Sequence, residues 1–277
     1  METEIKYKAV TKLDHLQEIV GLQKLVWDSE IVTSLPQMVA AIYNGGVVIA
    51  AFSEDKIIGF CYGFPGFNDS KVYLCSHMMA VHPKYRDLGI GKNLKIEQRE
   101  WALKYGYDKI VWTYDPLETR NGYLNLCKLG AYVTKYINSY YGEMNDPLNR
   151  GLPSDRFLVE WDLNSLRVQK AVAGIPIEKE SWKSYSKLLD WEQAGPYPRP
   201  RAVSEKKGGK GYLVSVPRNI QEIKEKDMSL AKEWRFNIRR QISIALLNGY
   251  AVVGLLRSKL PVHYYVLEKG IDEIDDK

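Results

Sequence analysis

The residues that most clearly indicate a binding site lie in one short segment, Arg86-Asp87-Leu88-Gly89-Ile90-Gly91. It follows an apolar run that reads as a strand and opens a predicted helix over residues 90–105. The first amides of a helix have no intrahelical partner, and the helix dipole adds partial positive charge there. Glycine lets the backbone approach a ligand closely, and Arg86 and Lys92 add positive charge. The segment therefore predicts a loop that binds a pyrophosphate.

Two other phosphate-binding loops do not fit this segment. The dinucleotide pattern G-x-G-x-x-G needs a third glycine, which is missing after Gly89 and Gly91, and the elements before them read as antiparallel. The P-loop pattern needs Ser or Thr after its Gly-Lys, and here Gly91-Lys92 is followed by Asn93.

The composition is that of a globular protein. The chain has 277 residues, 45% of them hydrophobic, which predicts one large domain or two unequal ones. The net charge of +5 suits an anionic cofactor and is too weak for a dedicated nucleic-acid binder. The three cysteines form no CxxC pair, so neither a disulfide framework nor a metal site is expected. No signal peptide or membrane-spanning run is visible, and we expect a cytoplasmic location.

The apolar periodicity predicts a series of strands followed by two strand–helix units. The composition changes after these elements. Predicted strands cover residues 5–10, 47–52, 57–64, 72–81, 109–113, 131–141 and 157–163, with a loop at 65–70 and a helix at 118–129. Residues 1–163 are expected to form a first domain, 164–211 a loop-rich connection, and 212–277 a C-terminal α/β lobe.

At this point a family resemblance is visible. The run from Met79 to Gly91, MAVHPKYRDLGIG, resembles the acyl-CoA-binding motif of the GCN5-related N-acetyltransferase (GNAT) superfamily. Residues 112–118, 129–131 and 155–157 resemble a bacterial and archaeal GNAT-like family with an extra C-terminal region and no known substrate. The resemblance implies an α/β (α+β) fold, with a mixed, mostly antiparallel sheet. Its fourth and fifth strands splay apart, helices flank it, and a smaller C-terminal lobe follows.

The resemblance also implies a co-substrate, acetyl-CoA or another acyl-CoA. Its pantetheine arm would insert between strands 75–81 and 109–113, and its pyrophosphate would meet the loop amides. Asn121 either contacts the cofactor or is an exposed residue of a first helical turn. The implied cofactor-binding residues are Met79, Ala80, Val81, Arg86, Asp87, Leu88, Gly89, Ile90, Gly91, Lys92 and Asn121.

Catalysis needs a group that takes a proton from the incoming ammonium. The resemblance points to the strand before the loop, where alternation would place Cys75, His77, Met79 and Val81 on one face. His77 is the candidate base because its reference pKa suits the task, and the alternative is a structural, hydrogen-bonded histidine. Asp115, just past the next strand, is a second candidate that could instead cap the helix near Glu118.

One departure from the family pattern concerns the acid. The family often has Tyr four residues before the Gly of L-G-F as the acid toward the coenzyme A thiolate, and Leu126 stands there. Tyr123 is the candidate catalytic substitute. Tyr140 and Tyr141 are further options, and aromatic packing is the alternative for all three.

These residues predict an acyl-CoA-dependent N-acyltransferase that moves an acetyl group directly to a small primary amine or amino-acid-like substrate. The alternative is a non-catalytic GNAT-fold protein that binds an acyl-CoA or another ligand. No metal, membrane or nucleic-acid partner is expected, and a homodimer is left open. Asp155 and Arg156 are predicted to pair, and a basic run could meet an anionic partner or be a solvated loop: Arg199, Arg201, Lys206, Lys207 and Lys210.

Overall fold

The computed structural model of the chain describes residues 4–27, 32–68, 70–144, 146, 150–203 and 209–270. Contacts divide the chain into two compact units. Unit 1 comprises Met1–Trp112 with Asp162–Asn164, and unit 2 comprises Thr113–Trp161 with Ser165–Lys277. These limits differ from the domain limits expected from composition, at residues 163 and 211, and the latter stay a prediction.

Unit 1 is a sheet with helices. Its strands lie in the order β1 (Ile5–Ala9), β2 (Val47–Ser53), β3 (Lys56–Asn68), β4 (Lys71–Val81) and β5 (Lys109–Tyr114, of which unit 1 holds the part up to Trp112). The pairs are antiparallel except β4 with β5, which is parallel. The helices are α1 (Leu13–Val26), α2 (Leu35–Tyr43) and α3 (Ile90–Tyr105). A core of apolar side chains from α1, α2 and the sheet includes Leu16, Ile19, Met38, Phe60 and Tyr62.

Two local predictions in unit 1 have different outcomes. The helix predicted over residues 90–105 is confirmed, with Gly106 in the left-handed conformation after its last residue. The loop predicted at residues 65–70 is wrong, because β3 extends to Asn68. There Gly66 pairs with Tyr73 and Asn68 with Lys71, so pairing with β4 overrides the local turn signal of Pro and Gly.

Unit 2 holds the remaining strands. Their order is β7 (Arg156–Asp162), β6 (Tyr132–Ile137), β11 (Tyr250–Leu256), β12 (Val262–Lys269), β10 (Gly211–Pro217), β8 (Ser186–Ala194) and β9 (Tyr197–Ala202). The pairing of β8 with β10 is parallel, and the other pairs are antiparallel. Its helices are α4 (Thr119–Tyr123), which continues into a π turn (Leu124–Lys128), α5 (Leu166–Val172), α6 (Ile220–Lys226) and α7 (Met228–Leu247). The predicted α/β class with a mixed sheet and additional C-terminal strands is confirmed.

The segment expected to be loop-rich is largely ordered. Residues 164–211 contain α5, β8 and β9. Pro198 and Pro200 lie in β9, which pairs with β8 at the end of the strand order, and an edge strand tolerates residues without an N–H. Of the basic run, Arg199 pairs with Glu233 and Arg201 with Asp190, while Lys206 and Lys207 lie outside the described residues.

A buried tryptophan packs on the one glycine of β11. Trp182 is fully buried, and its indole N–H donates to the Glu268 carboxylate at 3.1 Å. A Cβ placed on Gly254 would come within 2.5 Å of the Trp182 ring. The absence of a side chain at Gly254 therefore makes room for the indole.

We predict that Gly254→Ala lowers the free energy of unfolding by about 2 kcal/mol, because the ring is held on all sides and cannot move away. Urea denaturation measures this change. Gly21→Ala in α1 is the control, because no described atom lies within 4 Å of the added Cβ, and it should be neutral or stabilising by up to about 1 kcal/mol. Equal stability of the two variants would contradict the packing argument.

Candidate functional site

The loop after β4 turns sharply through left-handed conformations. A short 3-10 turn (Pro83–Tyr85) follows His82, whose ring Nδ1 accepts from the Lys84 amide at 3.2 Å. Asp87 has φ of 68° and Gly89 has φ of 76°. The left-handed region is strained for Asp87, and such outliers concentrate at functional sites. The loop side chains remain exposed, Leu88 at 61%.

The N-terminus of α3 has no side-chain cap, because its N-cap residue is Gly89. Ile90 is buried and fixes the first turn to unit 1. Among the described atoms, a Cβ on Gly91 would meet the Met79 side chain at ordinary contact distances, 3.6 Å from the methyl group and 3.9 Å from the sulfur. Packing therefore does not require glycine at position 91, whereas the positive φ requires it at position 89. The first turn of α3 presents open space and backbone amides, which suits an anion.

An extra residue interrupts the pairing of β4 with β3. Tyr62 pairs with Met78 and Gly63 with Ser76, so His77 is the bulged residue. The His77 ring packs edge-on against Tyr62 at 6.3 Å and Phe64 at 5.6 Å, on the face of the α1–α2 core.

The expectation that His77 and Met79 share a face is therefore wrong. Met79 pairs with Cys61, whose thiol reaches the Leu94 carbonyl, and the Met79 methyl group lies beside Gly91, so both face α3. Strict alternation fails because the bulge shifts the side-chain phase by one residue. His77 remains exposed, and partial desolvation by its neighbours lowers its pKa below the ordinary value. Its imidazole is neutral at pH 7 and can accept a proton.

A buried lysine lies on the α3 side of the same strand. Lys95 is 3% exposed, and its Nζ donates to Ser76 Oγ at 2.7 Å and to Gln98 Oε1 at 3.4 Å. The ammonium also lies 3.7 Å from the centre of the Trp112 ring. Burial lowers the pKa of Lys95 to about 7.

Lys95 was not among the residues predicted from the sequence, although its position on α3 carries a signal. Leu94, Gln98 and Ala102 recur on the inner face of α3 at helical spacing, and Lys95 lies beside them. Two polar side chains three residues apart on a buried helix face require partners within the fold. Their partner is Ser76, which the bulge turns toward α3.

β4 and β5 are paired at two positions, Leu74 with Ile110 and Cys75 with Val111. Ser76 and Trp112 follow directly on the two strands, and both contact the Lys95 amine. From Ser76 to Val81, the edge of β4 that faces away from β3 offers backbone donors and acceptors.

In unit 2, both carboxylate oxygens of Asp115 are engaged. Oδ1 accepts from the Leu117 amide at 2.8 Å, which closes a turn before α4. Oδ2 accepts from Arg235 Nη2 at 2.5 Å and lies 3.8 Å from Arg156 Nη1. Arg235 is 1% exposed. Asp115 therefore serves as the counter-ion of a buried guanidinium, and its role as a base stays a prediction.

Asp155 is a fully buried carboxylate of unit 2. Arg239 donates to it from Nε at 2.8 Å and from Nη2 at 2.6 Å, and the Tyr136 hydroxyl donates at 2.7 Å. The predicted pair of Asp155 with Arg156 is wrong, because Arg156 donates to the backbone carbonyl of Asp155 and is directed to Asp115. Neighbouring residues of an extended chain project to opposite sides, which separates their side chains.

The other candidates of unit 2 lie around α4. Asn121 is exposed, and the Tyr123 ring lies 4.9 Å from the Arg257 guanidinium and 5.4 Å from the Lys128 amine. Leu126 is fully buried in the π turn. Burial raises the pKa of Glu118, which accepts from the Gln221 amide at 2.6 Å. The catalytic role of Tyr123 and the cofactor contact of Asn121 stay predictions.

Within the described ranges, no three His, Cys, Asp or Glu side chains are grouped closely enough to hold a metal ion. None of the helices in those ranges has both the length and the apolar composition needed to cross a membrane.

We predict that Asp115→Asn lowers the free energy of unfolding by about 3 kcal/mol, since it leaves the Arg235 charge buried without its counter-ion. Urea denaturation gives the value. Glu180→Gln is the matched control, because Glu180 is 86% exposed in its pair with Lys183 and its loss should cost less than about 1 kcal/mol. If both variants unfold at the same urea concentration, Asp115 does not stabilise unit 2 in this way.

Comparisons with known proteins agree with the geometry of the loop. The model of the acetyltransferase (GNAT) family matches residues 17–130. No curated protein matches the chain.

Solved structures of GNAT acetyltransferases resemble part of the chain. One from Acinetobacter baylyi is 21% identical, with a TM-score of 0.48, over 58% of this chain and 94% of its own. One from Streptococcus pneumoniae is 17% identical, with a TM-score of 0.47, over 57% of this chain and 98% of its own. The ribosomal-protein-S18-alanine N-acetyltransferase from Escherichia coli is 13% identical, with a TM-score of 0.47, over 58% and 94%. At such identities and TM-scores we draw no argument from these likenesses. The family match and the glycine loop that opens α3 together support a GNAT-superfamily acetyltransferase domain over residues 17–130.

Proposed function

We propose that this chain transfers an acyl group, foremost acetyl, from coenzyme A directly to a small primary amine or amino-acid-like molecule. The observation that carries the proposal is the uncapped N-terminus of α3 beside the exposed loop. Its amides, with Arg86 and Lys92, would bind the pyrophosphate of an acyl-CoA. The other proposed contacts of the loop are Asp87, Leu88, Gly89, Ile90 and Gly91.

The pantetheine arm would lie along β4. Past the last pair with β5 at Cys75, β4 continues to Val81 with one edge available for hydrogen bonds. Pantetheine contains two amides, and these would pair with the backbone of Met79, Ala80 and Val81. This arrangement would direct the thioester toward the bulge at His77.

His77 is the proposed general base. The reaction forms a C–N bond at the thioester carbonyl and breaks the C–S bond, and the attacking nitrogen must lose a proton. The lowered pKa of His77 keeps its imidazole neutral at pH 7, and the side chain is exposed on the face opposite α3. An amine that approached from this face would meet the imidazole as it reached the carbonyl.

A non-catalytic, acyl-CoA-binding role is the second candidate. The observation that favours it is Leu126, an aliphatic side chain where the family often carries a tyrosine acid. Asp115, Tyr123 and Asn121 remain proposed site residues of unit 2. A cytoplasmic location and a homodimer remain predictions as well.

We predict that Gly91→Ala weakens coenzyme A binding at least tenfold, or about 1.4 kcal/mol, while the free protein keeps or gains stability. The Cβ fits the free protein but would occupy the position that a phosphate oxygen must approach. Isothermal titration with coenzyme A measures the affinity.

Arg86→Glu should also weaken binding, and Lys104→Glu, at the far end of α3, is the control with the same change in net charge. Unchanged affinity in both Gly91→Ala and Arg86→Glu would refute the loop assignment.

We predict thiol release when acetyl-CoA is mixed with at least one member of a panel of small amines and amino acids. In that assay His77→Ala should lower kcat by a factor of about 100 or more. Coenzyme A binding without thiol release across the panel would favour the non-catalytic role. A normal kcat in His77→Ala would eliminate His77 as the base.

A further inference from the structure

This inference rests on the proposed function and concerns the leaving group of the same reaction. Its starting point is the buried Lys95 amine, which the steps described above do not use. The amine lies where the pairing of β4 with β5 ends, after Cys75 and Val111. It contacts the next residue on each strand. Those residues are Ser76, at 2.7 Å from Nζ, and Trp112, whose ring centre is 3.7 Å away.

The charge state of Lys95 follows from the groups that face it. Cys61 lies on β3 on the same side as α3, Cys75 on β4 acts on the amine electrostatically, and burial raises both thiol pKa values, that of Cys61 to about 12. Both thiols are therefore neutral at pH 7. Gln98, from α3 itself, is uncharged, and Glu97 on the same helix acts on Cys61. Burial lowers the pKa of Lys95, the two thiols oppose that shift, and no carboxylate of the described residues contributes to it.

A buried lysine in such surroundings contributes less to stability than an apolar core residue would. Burial of an ammonium without a carboxylate destabilises the folded state, and an apolar side chain of similar volume would be at least as stable. The neighbouring groups instead stabilise the protonated amine, through two oxygen acceptors and the electron-rich face of Trp112, and this amine can still release its proton. Strongly shifted groups of this kind are concentrated at functional sites.

The thioester of a bound acyl-CoA would come close to this amine. An arm that starts at the loop after Val81 and runs back along β4 passes five residues before it reaches Ser76. At the rise of a strand, roughly 3.3 Å per residue, that path is about 17 Å long. It ends at Ser76, whose hydroxyl accepts the shorter of the two hydrogen bonds from the Lys95 amine.

We propose that Lys95 is the catalytic acid that protonates the coenzyme A thiolate as it leaves. When the amine nitrogen has bonded to the carbonyl carbon, the C–S bond breaks and its electron pair stays on sulfur. The ammonium of Lys95 gives one proton to that sulfur, which releases coenzyme A as a thiol and leaves a neutral amine. The neutral amine regains a proton from solvent before the next turnover.

The two groups can exchange this proton at little cost in free energy. A thiol has a pKa of about 8.5 in water, and the negative charge of an adjacent thiolate would raise the pKa of the Lys95 ammonium from its value of about 7 in the free protein toward that of the thiol. The assignment also accounts for Leu126, because an acid on α3 makes a tyrosine at that position unnecessary.

The test follows the thiol of bound coenzyme A and needs no acceptor amine. The ultraviolet absorbance of the thiolate is recorded against pH for free coenzyme A and for complexes with the wild type, Lys95→Met and Lys104→Met. The thiol pKa in the wild-type complex should be at least one pH unit below that of free coenzyme A, because the neighbouring ammonium stabilises the thiolate. Lys104→Met should match the wild type, and Lys95→Met should titrate like free coenzyme A.

Three results would be decisive. A thiol pKa that is the same in the wild-type and Lys95→Met complexes overturns the inference and leaves the proposed function intact. A failure of the wild type to bind coenzyme A overturns the proposed function. Loss of the shift in Lys95→Met, with unchanged coenzyme A affinity, supports the inference.

A second measurement shows whether Lys95→Met folds and whether the lysine titrates as required. The folded pKa of Lys95 is lowered to about 7, so between pH 7 and about 10 the unfolded chain binds the additional proton. The stability of the wild type relative to Lys95→Met should therefore rise with pH across this window. A constant difference between the two proteins would overturn the inference.

An acceptor found in the amine panel permits a kinetic test. Lys95→Arg keeps a positive charge but cannot give up its proton, because the guanidinium pKa is above 12. It should bind coenzyme A and lower kcat at least tenfold. Full kcat in Lys95→Arg would show that charge alone suffices and would overturn the role as acid.

Discussion

One extra residue in β4 determines how the chemistry of unit 1 is distributed. The bulge at His77 shifts the side-chain phase of the strand, so that residues before and after it point differently from strict alternation. As a result Ser76 faces α3 and bonds Lys95, while His77 faces the opposite side. Without the bulge, one of these two groups would lose its partners. The proposed base on one face and the proposed acid on the other suit a reaction in which the nucleophile approaches the carbonyl carbon from one side and the leaving group departs toward the other.

The buried cations of the two units have different kinds of partners. In unit 2, Arg235 and Arg239 each have a carboxylate, Asp115 and Asp155 respectively, so their charges are fixed and balanced. In unit 1, the partners of Lys95 among the described residues are two neutral acceptors and an aromatic face. A fixed ion pair organises structure, whereas an ammonium without a counter-ion can lose its proton at little electrostatic cost. The contrast separates groups that stabilise the fold from a group that can take part in proton transfer.

Local features were predictable from the sequence and distant pairings were not. The glycine loop and the helix over residues 90–105 depend on residues within a few positions of each other, and the helix bounds were correct. The bulge was missed because β4 is buried or partly buried on both faces around it, so its sequence shows no clear alternation in which a shift of phase could be seen. The alternation rule then placed His77 on the wrong face. The partner of Asp155 was missed because Arg239 is 84 residues away in the chain. The strands at residues 186–202 were missed because proline is tolerated at a sheet edge.

The absence of a tyrosine at position 126 can be interpreted in two physically different ways. If the family acid is simply absent, Leu126 marks a protein that binds an acyl-CoA without turnover, and the burial of Lys95 has no compensating benefit. If Lys95 replaces that acid, two departures from the ordinary pattern, an aliphatic residue in the π turn and an ammonium inside the core, have one explanation. A single cause for both is the more economical account. It also explains why Ser76 and Gln98 hold the amine at the point where β4 and β5 part, the position that a thiolate would reach.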